Sequence, residues 1–228
     1  GAPAAVSTRN AQRNAALFSL MGVIAVFALT QGVTYPLLSL QLQAAGWSEN
    51  MIGLNGAMTP LGMVLGSPFA PGLVKRFGTR KSLMVCMVLT GGTFAALPML
   101  QSFSAWLFLR FFLGTVVTGL YIVGESAIQA MVYDKTRGRL MGIYNAMMVT
   151  GYAAGPAILS LTGTTGAQPY LVSIGVVALA GVAVTMFGCW LPAVADDDTN
   201  ADVKTAFGFV KLAPAILLAC GAVAVFDQ

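Results

Sequence analysis

Residues 72–81 read Gly-Leu-Val-Lys-Arg-Phe-Gly-Thr-Arg-Lys, and these ten positions hold four of the chain's twelve basic residues. Long runs without any charged residue lie on both sides of this basic segment, at positions 50–74 and 82–109. The chain is 57% hydrophobic and 9% charged, with a mean hydropathy of +0.80, whereas soluble domains are about 45–50% apolar even when glycine is counted. The composition therefore predicts an integral membrane protein that crosses the lipid bilayer several times.

The uncharged runs are long enough for membrane-spanning helices, because one crossing needs about 20 apolar residues. No run alternates apolar and polar residues as the strands of a membrane β-barrel do, so the spans are predicted to be helices. We predict an all-α polytopic bundle of six spans, at about 15–41, 50–74, 81–101, 105–132, 140–162 and 170–191. The predicted domains are a cytoplasmic N-terminal segment 1–14, the six-helix bundle 15–192, an acidic cytoplasmic linker 193–206 and a truncated seventh helix 207–228.

The basic residues fall in alternate loops of this arrangement. Eleven of the twelve precede span 1, separate spans 2 and 3 or spans 4 and 5 (Lys81 at the boundary of span 3), or follow span 6, and only Arg110 lies in the interior of a span. The positive-inside rule makes the face that carries the eleven cations cytoplasmic, together with the N-terminus. The same distribution explains the basic pI of about 9.1 by membrane topology, so no nucleic-acid partner is predicted.

The residue types that would support metal or enzyme chemistry are scarce. The chain has no histidine, and its three cysteines occur singly inside apolar runs. No nucleophile–base pair can be assembled from these residues, and no carboxylates cluster within a span. We therefore expect no metal, no cofactor and no enzymatic activity.

The basic segment also has the pattern of a known loop motif, G-x-L-a-D-R-x-G-R-K. The matching positions are Leu73, Arg76, Gly78 and Arg80. The chain departs from the pattern at Pro71, where the motif has its first glycine, and at Lys75, where it has an aspartate. The glycine at 78 allows the tight backbone turn that joins spans 2 and 3.

Two further motifs follow in order on the predicted spans. Residues 110–114 of span 4 read Arg-Phe-Phe-Leu-Gly, which is similar to R-x-x-q-G. Residues 151–156 of span 5 read Gly-Tyr-Ala-Ala-Gly-Pro, which is similar to G-x-x-x-G-P-x-x-G except that Leu159 replaces the last glycine. With the basic segment, they resemble motifs A, B and C of the major facilitator superfamily, in a bacterial drug/proton antiporter-like branch.

The resemblance implies a secondary transporter of twelve helices that works by alternating access, of which this chain is the N-terminal half. The expected partners are the lipid bilayer, a small-molecule substrate, protons and the C-terminal half of the same transporter. The expected location is the bacterial inner membrane, and the expected activity is proton-coupled efflux of a small organic solute. The alternatives are an uptake symporter, a half-size transporter that pairs with itself, and a non-transporting membrane sensor or scaffold.

Arg110 is the main candidate for the substrate or proton pathway. A charge at the centre of a span costs about 2.5–3.5 kcal/mol on insertion scales, so such residues usually face a cavity and a partner. Helical spacing places Arg110 on one face of span 4 with Gly114, Thr118, Tyr121 and Glu125. The alternative is that Arg110 extends to the outer interface, which Trp106 marks.

Glu125 lies about 22 Å further along span 4, at 1.5 Å per residue, and cannot pair with Arg110. The resemblance implies that it joins Arg76 and Arg80 in a charge latch between the two halves, with Gly78 in the turn. The alternatives are a proton-carrying carboxylate and a plain interfacial one.

Small and polar residues of spans 1 and 5 complete the candidate site. Gly151 and Gly155 permit a close helix contact, and Pro156 bends the helix; the resemblance adds that this bend seals leak paths in antiporters. The other residues predicted in the pathway are Gln31, Tyr35, Tyr121, Asn145, Tyr152 and, in the seventh run, Asp227. The alternative for these polar side chains is that they form hydrogen bonds between helices.

Overall fold

The computed structural model describes residues 2–100, 102–132, 136–188 and 191. In these ranges the chain forms α-helices joined by short turns, with no β-strand. The helices are α1 (Ala2–Ala44), α2 (Glu49–Gly66), α3 (Phe69–Phe77), α4 (Thr79–Ala96), α5 (Phe103–Met131), α6 (Arg137–Thr162) and α7 (Gln168–Phe187). The chain divides into two units, residues 1–194 and 195–228. The second unit lies outside the described residues, and so do the predicted linker at 193–206 and the predicted seventh helix.

Five of the six predicted spans correspond to one helix each, but span 2 is divided. In place of one helix over 50–74, the chain forms α2 and α3, which are bent by 56° relative to each other. The break falls between Gly66 and Phe69, at a serine and Pro68. Proline has no backbone N–H to donate to the preceding turn, and glycine is a poor helix former. The two helices together cover the predicted span, but the break between them was not predicted, because an apolar run does not show where backbone hydrogen bonding is interrupted.

Helix α1 is longer than the span predicted for it. It begins at Ala2 and ends at Ala44, so the N-terminal segment predicted for 1–14 is continuous with the span over the residues described. At the other tight connection, Gly78 alone separates α3 from α4 and has φ +78°. That conformation is easily accessible only to glycine, and it confirms the predicted turn.

Helices α1 and α5 form the centre of the bundle. Helix α1 packs against α5, α6 and α7, while α5 also packs against α2 and α4. The two central helices contribute most of the apolar core, in which Val23, Ile24, Leu120 and Val123 are fully buried. Polar side chains on the inner faces of α1, α2 and α5 are therefore enclosed by apolar neighbours, and the candidate site lies among them.

Helices α1, α5 and α7 are long and apolar enough to cross a membrane by length and composition, and the bent pair α2–α3 counts as a fourth span if taken together. Among the helices that the structure describes, α4 and α6 fall short of this criterion. Helix α4 carries Arg80 and Lys81 in its first turn, and α6 contains Asn145 and Pro156; these residues lower the mean hydropathy of both helices. The fold is a helical membrane bundle, and the spans at 81–101 and 140–162 stay predictions.

Candidate functional site

The guanidinium of Arg110 lies inside the bundle between α1, α2 and α5. The side chain is 1% exposed. Its Nε donates to Thr59 Oγ1 and its Nη1 donates to Asn55 Oδ1, both at 3.1 Å. Its Cζ lies 4.9 Å from the centroid of the Tyr35 ring, within the range of a cation–π contact. Arg110 therefore points into the bundle and does not extend to the outer surface.

Helix α2 approaches α5 closely enough for short side chains to reach the guanidinium. A Cβ placed on Gly114 would overlap the backbone carbonyl of Thr59, and one placed on Gly62 would overlap the carbonyl of Phe111. The two helices thus meet backbone to backbone through glycine. Asn55 and Thr59, one helical turn apart and both fully buried, are held against Arg110 by this contact.

Sequence reasoning missed Asn55 and Thr59 as the partners of Arg110. The available signals were a pair of polar residues four positions apart in an apolar span and the Gly62-x-x-x-Gly66 spacing, which marks close helix packing. Neither signal identifies the helix that is approached, because that depends on tertiary contacts.

The acceptors of Arg110 in the described part of the chain are neutral. The carboxylates there are Glu49, which is exposed in the first turn of α2, and Glu125, about 22 Å along α5 from Arg110. Two buried donor atoms of the cluster, Arg110 Nη2 and Asn55 Nδ2, have no hydrogen-bond partner among the described residues. The site thus holds one positive charge and two free donors in an apolar surrounding.

The other predicted pathway residues are divided between the interior and the surface. Gln31 is buried on α1, and its Nε2 lies 3.6 Å from Met63 Sδ of α2, one turn along α2 from Thr59. Tyr35 is half-buried one turn from Gln31, so these two and Arg110 belong to one strip between α1, α2 and α5. Asn145 and Tyr152 are exposed on α6.

Tyr121 occupies a different position, with its ring 4.9 Å from that of Phe27 in the core. Asp227 lies outside the described residues. The pathway predicted for these two residues stays a prediction.

The residues of the predicted latch lie apart in this conformation. Glu125 Oε1 accepts a hydrogen bond of 3.2 Å from Gln129 Nε2, one turn along α5. Arg80 Nη2 donates to the carbonyl oxygen of Thr185 at 2.8 Å, and the Arg76 guanidinium lies 5.6 Å from the ring centroid of Phe77. The last carbonyls of a helix lack intrahelical donors, so Arg80 satisfies a free end of α7. The latch with Glu125 stays a prediction.

The predicted close contact at Gly151 and Gly155 is present between α6 and α1. A Cβ on Gly155 would overlap the carbonyl group of Gly32, and one on Gly151 would lie 2.6 Å from Ala28 Cβ. We call this contact the glycine seam. Pro156 follows directly and lies inside α6. The seam fixes α6 against the helix that carries Gln31 and Tyr35, but the bend and leak-sealing role of Pro156 stay predictions.

A polar and aromatic cleft of about 590 Å³ lies at the end of the bundle near Trp106, the predicted outer end. Gln41 is one of the residues that line the cleft. Its Nε2 donates to the carbonyl oxygen of Thr164 at 2.8 Å, and its Oε1 accepts from Tyr170 Oη at 2.7 Å. The rings of Trp47 and Phe103 stack at one side, 4.9 Å apart. These hydrogen bonds join α1 to the α6–α7 turn at Thr164 and to α7 at Tyr170, connections that sequence spacing does not reveal.

A comparison with protein families shows one match, which covers residues 20–227 and is described as Major Facilitator Superfamily. Similar curated proteins come from several bacteria. The uncharacterized MFS-type transporter YfkF of Bacillus subtilis (strain 168) is 25% identical over 190 residues, which is 81% of this chain and 47% of that protein. The uncharacterized MFS-type transporter YcaD of Escherichia coli O7:K1 is 24% identical over 200 residues, which is 87% of this chain and 51% of that protein. The chain thus spans about half the length of the curated relatives it matches.

Proposed function

Because this chain belongs to the Major Facilitator Superfamily, we propose that it forms one half of a secondary transporter that moves a small organic solute across a membrane by alternating access. The other half is a second bundle of the same transporter, and the solute site lies between the halves near the middle of the bilayer. The relatives are about twice as long as the matched region, which supports this division. The sensor or scaffold that the sequence also allowed gains no support from an observation.

The buried guanidinium of Arg110 carries the proposal. A charge inside a span costs about 2.5–3.5 kcal/mol on insertion scales, and neutral acceptors only partly offset that cost. A bundle whose sole task is structural could place leucine or methionine at this position and avoid the cost. The arginine therefore serves a ligand or a conformational step, and the strip formed with Gln31 and Tyr35 is the solute pathway.

Proton-coupled export is the form of transport that we propose. The support is the motif C-like sequence with its glycine seam, which resembles the antiporter branch of the family. A second support is Glu125. Among the described residues it is the carboxylate that lies within a predicted span, and hydroxyl and amide side chains of α5 lie near it. In this proposal the basic segment pairs with Glu125 when the transporter changes state, so that the latch forms in a conformation other than this one.

The proposed location is a bacterial inner membrane with the N-terminus in the cytoplasm. The positive-inside pattern supports the orientation, and the bacterial sources of the relatives support the membrane. The bilayer and the C-terminal half are then the structural partners, and a solute and protons are the transported ones.

The experiment uses the full-length protein in proteoliposomes that enclose a pH-sensitive dye. A panel of organic acids, organic cations and neutral aromatic solutes is added outside, and solute-dependent proton movement is recorded. We expect movement with one class, its loss in Arg110→Ala, and a nearly equal loss in Arg110→Lys, because lysine keeps the charge but not the planar five-donor group. The exposed Arg139 of α6 provides the matched control, and Arg139→Ala should transport normally. Wild-type rates in Arg110→Ala would contradict the assignment.

A further inference from the structure

Two unpartnered donors in the Arg110 cluster have the arrangement of a ligand site. Arg110 Nη2 and Asn55 Nδ2 have no partner among the described residues, although the side chains are only 1% and 0% exposed. The neighbouring atoms of the same two groups, Arg110 Nη1 and Asn55 Oδ1, are joined by a hydrogen bond of 3.1 Å. Each free nitrogen is bonded to the same carbon as one end of that bond, so both donors belong to one hydrogen-bonded pair of buried side chains.

The chemistry of the ligand follows from the donors. A buried donor without an acceptor costs about 1–3 kcal/mol, and more when it is charged. Only an acceptor satisfies both nitrogens, and only an anion also balances the guanidinium charge. An ionised carboxylate offers two oxygens and no donor, and its hydrogen bonds with arginine are among the strongest in proteins.

A phosphate fits less well than a carboxylate. A phosphate monoester carries about two negative charges at neutral pH, whereas this cluster offers one positive charge. The surplus negative charge would stay unbalanced in an apolar interior, which is costly.

We propose that the donors of Arg110 and Asn55 bind the carboxylate of the transported solute, so that the substrate is a small organic acid. This inference rests on the proposed function. The ring of Tyr35 lies over the guanidinium, with its centroid 4.9 Å from Arg110 Cζ. In this proposal the Tyr35 ring moves aside when a carboxylate binds to the two donors.

The same donors could be filled by a carboxylate side chain of the transporter itself. The described carboxylates do not bond to them in this structure: Glu49 is exposed in the first turn of α2, and Glu125 lies about 22 Å along α5 from Arg110. The predicted pathway residue Asp227 lies outside the described residues, and it is the competing source that an experiment must separate from a solute.

Binding is measured on the full-length protein in nanodiscs, by calorimetry and thermal unfolding, with acetate, lactate and benzoate and with the neutral amide of each acid. We expect at least one acid to bind and its amide to bind at least tenfold more weakly. Asn55→Asp should lower the affinity for that acid at least tenfold, because the new carboxylate occupies Arg110 and repels the ligand. The same change should raise the melting temperature of the ligand-free protein. Asn50→Asp, an identical change at an exposed position of the same helix, should leave binding intact.

The inference is overturned if no acid binds better than its amide, or if Asn55→Asp binds like the wild type. Binding that appears only after Asp227→Asn would assign the donors to a side chain and also overturns it. Transport is tested separately. If solute-driven proton movement persists and depends on Arg110 while no acid binds, the carboxylate inference is wrong and the proposed transport function is supported. If an acid binds but no solute moves protons, the proposed transport function is wrong.

Discussion

Replacing Gly155 by alanine tests the glycine seam between α1 and α6. A Cβ at this position would lie 2.6 Å from the backbone nitrogen of Val33 and closer still to the carbonyl group of Gly32. All three contacts are backbone atoms inside a helix, which cannot rotate away as a side chain would. The added methyl group therefore forces α6 away from α1 along the length of their contact.

The size of the effect follows from two opposing terms. Overpacking by one methyl group costs about 1–3 kcal/mol, and alanine in place of glycine within a helix returns about 0.5–1 kcal/mol. Because all three contacts are with backbone atoms, the upper half of the overpacking range applies, and the expected net loss in the free energy of unfolding of Gly155→Ala is roughly 1–2.5 kcal/mol. In a domain of this size each kcal/mol lowers the melting temperature by about 2–4 °C, which predicts a drop of roughly 2–10 °C.

The measurement is thermal unfolding of the full-length protein in one detergent, followed by circular dichroism. Gly142→Ala is the matched control, since Gly142 lies on the same helix and a Cβ there meets nothing within 4 Å. That variant should melt at or slightly above the wild-type temperature. Equal melting temperatures for Gly155→Ala and Gly142→Ala would refute the backbone contact, and with it the explanation of the Gly-x-x-x-Gly spacing in α6.

Three further predictions concern topology, the predicted latch and the outer cleft. A cysteine at Thr136 should react with an impermeant thiol reagent only from the cytoplasm, and one at Thr165 only from outside; the reverse result would invert the predicted topology. A double-mutant cycle of Arg80→Ala and Glu125→Gln on the free energy of unfolding should show coupling below about 0.5 kcal/mol, because each side chain bonds elsewhere in this conformation; coupling of about 1 kcal/mol or more would show that the latch is already formed in the resting protein. Tyr170→Phe should lower stability by about 0.5–1.5 kcal/mol through loss of its hydrogen bond to Gln41, and an unchanged melting temperature would show that this bond contributes nothing.

The sequence predicted the helices well because their signal is local. Uncharged runs of about 20 residues have one stable form in a bilayer, and every predicted span coincides with helix over most of its length. The glycine pair of α6 was also predictable, since small residues four apart mark a contact face. The residue that this face contacts could not be predicted. Gly32 belongs to no motif, and it comes close to Gly155 only in the folded bundle.

The candidate site was predictable in its charge and not in its neighbours. Arg110 could be selected because it is the cation in the interior of a predicted span. Helical periodicity then showed which residues of its own helix, α5, share its face. Periodicity carries no information about the rotation of another helix, so Asn55 and Thr59 of α2 could not be assigned to it. The basic segment shows the same limit: the family resemblance implied a carboxylate partner, but in this conformation Arg80 donates to the carbonyl oxygen of Thr185 at the end of α7.

The break between α2 and α3 has a consequence for how the bundle fits its membrane. The 18 residues of α2 rise about 27 Å, and the nine of α3, bent by 56°, add only about 8 Å along the axis of α2 but move the chain about 11 Å sideways. A straight helix of this length would exceed a hydrocarbon core of about 30 Å and favour tilting. With α2 along the bilayer normal, α3 would run closer to the membrane plane, and it carries exposed Phe69 and Phe77 beside the basic residues Lys75 and Arg76, the residue types found in interfacial helices. We therefore expect α3 to lie at the membrane interface and to limit how deeply the bundle sits in the bilayer.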